Sequence, residues 1–471
     1  MSHKFCSAHG AKEIGMNNKK QVIIVGAGIA GLSAGVYALN NGFDVTILES
    51  HSIPGGNCTS WKRKGYLFEG GMHWLTGSKK GAEFNKEWYE VGALSDDMII
   101  HNREPFMEYS YDGTNICLYR DVDKTQKHLT ELSPEDATVI EKLCNGIRTA
   151  MTEGMPMDIF ASHFKHKGIR ELFVGFSGSE NAPIAPFFYL TFSTLATGDG
   201  GFPEGGSLPF AQRIANKVTD LGGKILYKTK VDKVLVEEGK ATGVLANGQT
   251  LKADAVIVSS DTMMIESLFE KPITSPWLEK MRSTAGPTMN TYISLGIDAD
   301  LTKYPAQYMF KIDEPVDFVG NPVHYISVNN YANDPAYSPA GKTSMTTSLG
   351  GNTYDFWLKA KQNGTYAEEK KKLGDSIIKA IESQMPEIKG KVEICDVATP
   401  LTYERYCGTW KGSWMTDMTQ DMSMEPYPAT VDGINCLYFA GQRMMPPGGL
   451  PVALITGKIA VQYLCEEMKQ F

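Results

Sequence analysis

An α/β fold is predicted by three features of the sequence. Residues 21–49 run from a buried-strand pattern, QVIIV, through the turn and helix pattern GAGIAGLSAGVYALNNG into a second strand, FDVTILES. Residues 200–261 repeat that vocabulary and end in another apolar strand, ADAVIVSS. The chain closes with a third such strand, INCLYFAGQ, a Pro- and Gly-rich turn, and an apolar helix from Leu450. Continuous apolar strands separated by helices indicate a parallel sheet covered on both faces, the Rossmann-type arrangement.

In the first unit each glycine has a separate physical reason. Gly26 permits the tight turn, Gly28 lets backbone approach a pyrophosphate, and Gly31 lets helix and strand pack closely. The first helical turn, with Ile29 and Ala30, aims free N–H groups and the positive dipole end at phosphate. Glu49 ends the second strand, followed by Ser50; a carboxylate there accepts both ribose hydroxyls of an adenosine and disfavours a 2′-phosphate. Strand, glycines, helix, strand and terminal acid in register make a dinucleotide site far more specific than the glycines alone.

Bulk properties narrow the class. A chain of 471 residues exceeds one core, so two domains or one elaborate domain are expected. A net charge of −8, with 54 acidic against 46 basic residues, argues against a nucleic-acid binder. Eight cysteines are scattered without a CxxC pair, which fits a reducing compartment and no metal site. Residues 1–20 lack the apolar stretch of a signal peptide and read as a tail. No apolar run is long enough to span a membrane; PIAPFFYLTFSTLAT (Pro183 to Thr197) comes nearest and reads as buried core.

The rest divides by pattern. HLTELSPEDATVIEKLCNGIRTAM is a helix candidate with Ser133 as an N-cap. In the block 200–261 an amphipathic helix is expected over 209–221, then a strand ending near Lys228 and a hairpin over VDKVLVEEGKATGVLANGQTL. TYISLGID and SMTTSLG read as strands, and AEEKKKLGDSIIKAIESQMP as a helix whose run Lys370 to Lys372 is a solvated face. The expected division is a discontinuous dinucleotide domain (21–80, 200–262 and 391–471) and a mixed α+β substrate region (81–199 and 263–390).

After the acid come two further glycine pairs: Gly55-Gly56, followed by Asn57, and Gly70-Gly71, followed by Met72 and His73. Together with EGGSLPFAQRIA…GGKILYKTKVDKV and YFAGQRMMPPGGLPVALITGKIA they resemble the phytoene desaturase-like group within the FAD-dependent amine oxidase superfamily, which includes carotenoid desaturases, carotenoid isomerases and retinol saturases. These blocks cover roughly two-fifths of the chain and, with the amino-terminal fingerprint, stand in the group's order. The resemblance implies a GR2-like FAD domain with an inserted substrate domain, and FAD held non-covalently. It implies Gly55, Gly56 and Asn57 near the flavin phosphates, Gly70, Gly71, Met72 and His73 near the ring, and the backbone of Val231 at the adenine. Gly441 and Gln442 are implied at the phosphate and ribityl chain, and Gly448, Gly449, Leu450 and Pro451 around the isoalloxazine. Two positions depart from the group: Asn57 stands where Arg is usual, and Gln442 where many relatives have Asp.

His73 is the first candidate for proton handling beside a flavin, or a ring that only holds its place by a hydrogen bond. Glu404 is a second candidate, or half of an ordinary ion pair with Arg405; Glu180 is a third, and Trp410 and Trp414 read as walls or core. The expected activity is desaturation or saturation of C–C bonds in a long apolar polyene, isoprenoid or lipid. The alternatives are a redox-neutral polyene isomerase, an amine oxidase, and a non-catalytic binder of prenylated partners like the Rab escort proteins. No second GxGxxG unit is present, so an unidentified electron donor or acceptor is expected as a partner. A cytoplasmic location is expected, with peripheral contact at a membrane left open.

Overall fold

A computed structural model describes residues 19–151, 155–177, 184, 188–417 and 423–468. The expected tail, except for Lys19 and Lys20, and Glu180 lie outside the described residues. The chain divides into two compact units: residues 1–56, 211–285 and 424–471 form one, and residues 57–210 and 286–423 the other.

The first unit is built on a five-stranded parallel sheet in the order Leu437–Phe439, Ala255–Val258, Gln21–Val25, Asp44–Leu48, Lys224–Leu226. Its central strand reads QVIIV, and its last four residues are buried, as a strand covered on both faces requires. The first helix, Ile29–Asn40, is buried nearly all round. The last helix, Leu450–Met468, packs so closely on it that a Cβ at Gly457 would lie 2.4 Å from the carbonyl oxygen of Ala30. Ser33 Oγ donates to the Leu454 carbonyl at 2.8 Å across the same contact. The expected hairpin is present and gains a third strand: Val231–Glu237, Lys240–Ala246 and Gln249–Lys252 form an antiparallel sheet.

The second unit is organised by a seven-stranded sheet, ordered Val392–Ala398, Asn290–Ile297, Thr343–Gly350, Asn321–Asn330, Gln307–Phe318, Met107–Tyr111, Thr114–Leu118. One core joins Ile293, Leu295, Ile297 and Met345 to Trp357, Ile377 and Ile381 of two helices, Tyr354–Gln362 and Tyr366–Gln384. Another gathers Tyr109 and Met309 with Phe164, Phe173, Phe188 and Phe192. The described part of PIAPFFYLTFSTLAT therefore includes core residues, as expected, although Leu190 is exposed.

Three details differ from the sequence reading. The unit boundaries fall elsewhere: Val392–Ala398 pairs antiparallel with Asn290–Ile297 in the seven-stranded sheet, so 391–423 belongs to the second unit. Segments 57–80 and 200–210 belong there too, because Leu67 N–H donates to Tyr337 O and Ser207 binds Glu69. Conversely, Pro276–Thr284 buries Trp277, Leu278 and Met281 in the core of the first unit. Finally, the helix candidate around Ser133 is two helices, Val122–Leu132 and Ala137–Arg148, joined by the short turn Pro134–Asp136. A residue before proline is driven out of helical conformation, and Ser133 sits at φ −142°. Its hydroxyl donates to Asp136 Oδ2 instead of capping backbone.

Candidate active site

The amino-terminal fingerprint separates its three glycines by cause. Gly26 has φ +102°, a conformation that disfavours any other residue. A Cβ on Gly31 would lie 2.0 Å from the carbonyl oxygen of Gly26, so helix and strand approach too closely for a side chain. Gly28 is different: φ is −68°, and a Cβ there would meet no protein atom within 4 Å. Nothing within the described protein requires glycine at 28, and space for a close ligand lies over it.

Around Gly28 the backbone is arranged as a cradle. Gly55 N–H donates to Ala27 O at 2.8 Å, Gly28 and Gly55 form a parallel bridge, and a Cβ on Gly56 would sit 3.4 Å from Gly28 Cα. Gly28 is the N-cap of the first helix with no side chain capping it, which leaves the amide end of that helix for a ligand. Glu49 is buried and already accepts from the N–H groups of Ala27 and His51, both at 2.7 Å, and from Ser50 Oγ at 3.3 Å. A carboxylate offers about four acceptor sites, so Glu49 fixes the turn and retains acceptor capacity for about one further donor. Val231 opens its strand, buried and paired with Ala246.

At the same carboxy-terminal edge of that parallel sheet, just past Leu437–Phe439, Gly441 takes φ +150° and is tied to Thr456, whose Oγ1 accepts from its N–H and donates to its carbonyl at 3.1 Å. Arg443, buried, places Nε 2.9 and 3.0 Å from the two carboxylate oxygens of Asp261. Gly448 and Gly449 have φ +114° and +104°. A Cβ on Gly448 would strike Gln442 O at 2.9 Å, whereas one on Gly449 would meet nothing closer than Pro451 Cδ at 3.9 Å. Gly448 therefore has a reason internal to the turn, and Gly449 has open space before it, next to the start of the last helix at Leu450.

In the second unit the segment Gly70–His73 is held by Glu69, which sequence reasoning passed over. This buried carboxylate accepts from the N–H groups of Gly71 (2.9 Å), Met72 (3.0 Å) and Ser207 (2.9 Å), from Ser207 Oγ (2.5 Å) and from Tyr337 Oη (2.9 Å). Gly70 and Gly71 both have packing reasons: their Cβ atoms would lie 2.4 Å from the Trp61 ring and from Asn57 O. Asn57 itself donates to Ser413 O at 3.4 Å while its Oδ1 has no partner.

His73 Nε2 lies 3.4 Å from Tyr292 Oη, and the rings stack at 17°. Burial, and then the nearby charge of Arg103, push its pKa down to about 4. The imidazole is thus neutral at pH 7, protonated in about one molecule in a thousand. It can hold or accept a hydrogen bond there, but it is poorly matched to donating a proton. Burial raises the Tyr292 phenol, so its partner is neutral too. Glu404 accepts from Tyr354 Oη at 2.9 and 3.0 Å, and Arg405 stacks over Tyr406. That hydrogen bond gives Glu404 a structural occupation different from the ion pair considered from sequence. Trp410 and Trp414 are partly buried, and Trp414 Nε1 has no hydrogen-bond partner. No cluster of His, Cys, Asp and Glu able to hold a metal occurs among the described residues.

Over 95% of its length the chain is 23% identical to prolycopene isomerase 2, chloroplastic, of an Oncidium hybrid cultivar, covering 84% of that protein. It is 24% identical, over 95% of its length and 94% of the relative, to a neurosporene-forming phytoene desaturase of Rhodobacter capsulatus. The fold matches the crystal structure of an oxidoreductase from Methanosarcina mazei with a TM-score of 0.65 and 20% identity, covering 95% of this chain and 100% of that one. Residues 29–465 match the flavin containing amine oxidoreductase family, and the chain is a member of that family, a flavin-dependent oxidoreductase.

Proposed function

We propose that the protein binds FAD non-covalently and desaturates or saturates C–C bonds of a long apolar substrate of polyene, isoprenoid or lipid type. The observation that carries the cofactor reading is Gly28, whose missing side chain faces no protein atom within 4 Å beside an uncapped helix end. The relatives support the substrate class, since desaturases and isomerases named for polyenes align along nearly the whole chain.

In this reading Gly26, Gly28, Ile29, Ala30, Gly31, Gly55, Gly56 and Asn57 hold the phosphates, Glu49 and Ser50 a ribose, and Val231 the adenine through its backbone. Gly441, Gln442, Gly448, Gly449, Leu450 and Pro451 hold the flavin end. When bound, the flavin supplies hydride or electron transfer. The chain's own residues position and shield: the Glu69 network fixes the backbone before His73, and the neutral His73 and Tyr292 present hydrogen-bonding groups without charge. No cysteine occurs in residues 437–464, which fits non-covalent binding at that end. Electrons pass to or from a separate partner. No helix among the described residues is long and apolar enough to cross a membrane. A cytoplasmic protein touching a membrane surface, where an apolar substrate concentrates, completes the proposal.

A second reading, redox-neutral isomerisation of a polyene, is favoured by the prolycopene isomerases among the relatives. Product mass decides. After incubation of the flavin-loaded protein with phytoene or prolycopene, a change of two hydrogens supports desaturation or saturation. An isomer of unchanged mass supports the second reading, and no product from either substrate counts against both.

A further inference from the structure

Across the strands Asn290–Ile297, Thr343–Gly350 and Asn321–Asn330, one face of the seven-stranded sheet carries a patch of polar side chains. Opposed residues in antiparallel strands share a face, so the pairs Tyr292–Ser348, Ser294–Thr346 and Thr346–Asn329 lie together. Ser294 Oγ and Thr346 Oγ1 are 3.2 Å apart, and Asn290 Nδ2 donates to Ser348 Oγ at 3.3 Å. The opposite face of the same strands carries Ile293, Leu295, Val328 and Met345. His73 meets this polar face at Tyr292, and Arg103 meets it two residues along, where its Nη1 donates to Asn329 Oδ1 at 3.0 Å.

Arg103 is half-buried, with its guanidinium 5.4 and 5.9 Å from the ring centres of Phe202 and Tyr331. Among the described residues no carboxylate lies within 4.0 Å of it. Acids of this region have other partners. Glu69 accepts from Gly71, Met72, Ser207 and Tyr337; Asp334 accepts from Gly205 and Ala336; Glu204 lies 3.6 Å from His101. A guanidinium beside two aromatic rings and a side-chain amide is a planar fork suited to a carboxylate.

We propose that Arg103 is a specificity-determining residue that binds the carboxylate at one end of an otherwise apolar substrate. The preferred ligand is then a long-chain polyene or isoprenoid acid and not a plain hydrocarbon. This rests on the apolar-substrate reading above and narrows it. A single carboxylate fits better than a diphosphate, because Lys311, on the same sheet face, is bound to Glu171 at 2.9 Å.

The test is titration of the flavin-loaded protein with all-trans-retinoic acid and with its methyl ester, read by tryptophan fluorescence, in wild type, Arg103→Gln and Arg103→Lys. The acid is expected to bind wild type at least about tenfold more tightly than the ester, the scale of one charge-assisted contact. Arg103→Gln should bring the acid to the ester's affinity and leave the ester unchanged, with Arg103→Lys in between. Equal binding of acid and ester to wild type overturns the carboxylate anchor and leaves the apolar-substrate reading standing, and so does equal weakening of both by Arg103→Gln. Binding of neither overturns both. Should Arg103→Gln fail to fold, the wild-type comparison still decides.

Discussion

Arg443 and Asp261 form a buried ion pair, Nε standing 2.9 and 3.0 Å from the two carboxylate oxygens, with side chains only 1% and 3% exposed. Asp261 also accepts from the N–H of Met263, so one carboxylate ties the turn after Leu437–Phe439 to the segment after Ala255–Val258. Removing one partner leaves the other charge buried and uncompensated. Asp261→Ala is expected to lose on the order of 3–5 kcal/mol in urea denaturation. The apolar double variant Asp261→Leu/Arg443→Met should lose less than Asp261→Ala alone. A loss below about 1 kcal/mol in the single variant would contradict the account of this pair.

Gly28 and Gly31 should behave oppositely when substituted. Gly28→Ala meets no protein atom, so the flavin-free protein should keep its stability within about 0.5 kcal/mol. Flavin retained after gel filtration should nevertheless fall steeply. Gly31→Ala drives a Cβ toward the carbonyl of Gly26 and should lower stability even without flavin. Equal loss of stability in both variants would mean that Gly28 also serves the fold.

Glu69 receives donors only, so an amide in its place must turn at least one N–H toward another. Glu69→Gln should cost roughly 1–3 kcal/mol for each donor left unmatched. Faster hydrogen exchange at Gly71 and Met72 should accompany that cost. Unchanged exchange at these two amides would argue against Glu69 as the anchor of the backbone leading to His73.

The His73 shift has a sign that equilibrium unfolding can read. Its pKa is about 6.5 in an unfolded chain and about 4 in the folded one. Between those values the unfolded state binds a proton that the folded state refuses. Stability therefore falls as pH drops from about 7 to 4, by on the order of 3 kcal/mol from this group. His73→Asn should flatten that part of the stability curve, and an unaltered slope would contradict the shift.

The sequence made the first unit readable because its signals are local. Strand, glycine turn, helix and acid lie within 29 residues, and each carries its own steric or electrostatic reason. Ser133 shows where local reading fails: the apolar spacing was helical on both sides, and Pro134 divided it. Glu69, Asp261 and Arg103 were illegible for another reason. Their partners Ser207, Arg443 and Asn329 lie far along the chain, and an acid or base in one sequence looks the same whether buried or solvated. His73 stands out in the sequence by the glycine pair before it, but its neutral state follows from burial and from Arg103, neither of which spacing reveals.

The central claim is that a flavin in this chain exchanges electrons with an apolar polyene. The most direct measurement is anaerobic absorbance of the flavin-loaded protein, oxidised or reduced with dithionite, on adding phytoene, prolycopene or retinoic acid in detergent. The expected result is that one of these reduces the oxidised flavin or reoxidises the reduced flavin while the polyene is converted. A flavin spectrum unmoved by every polyene in both redox states would contradict it.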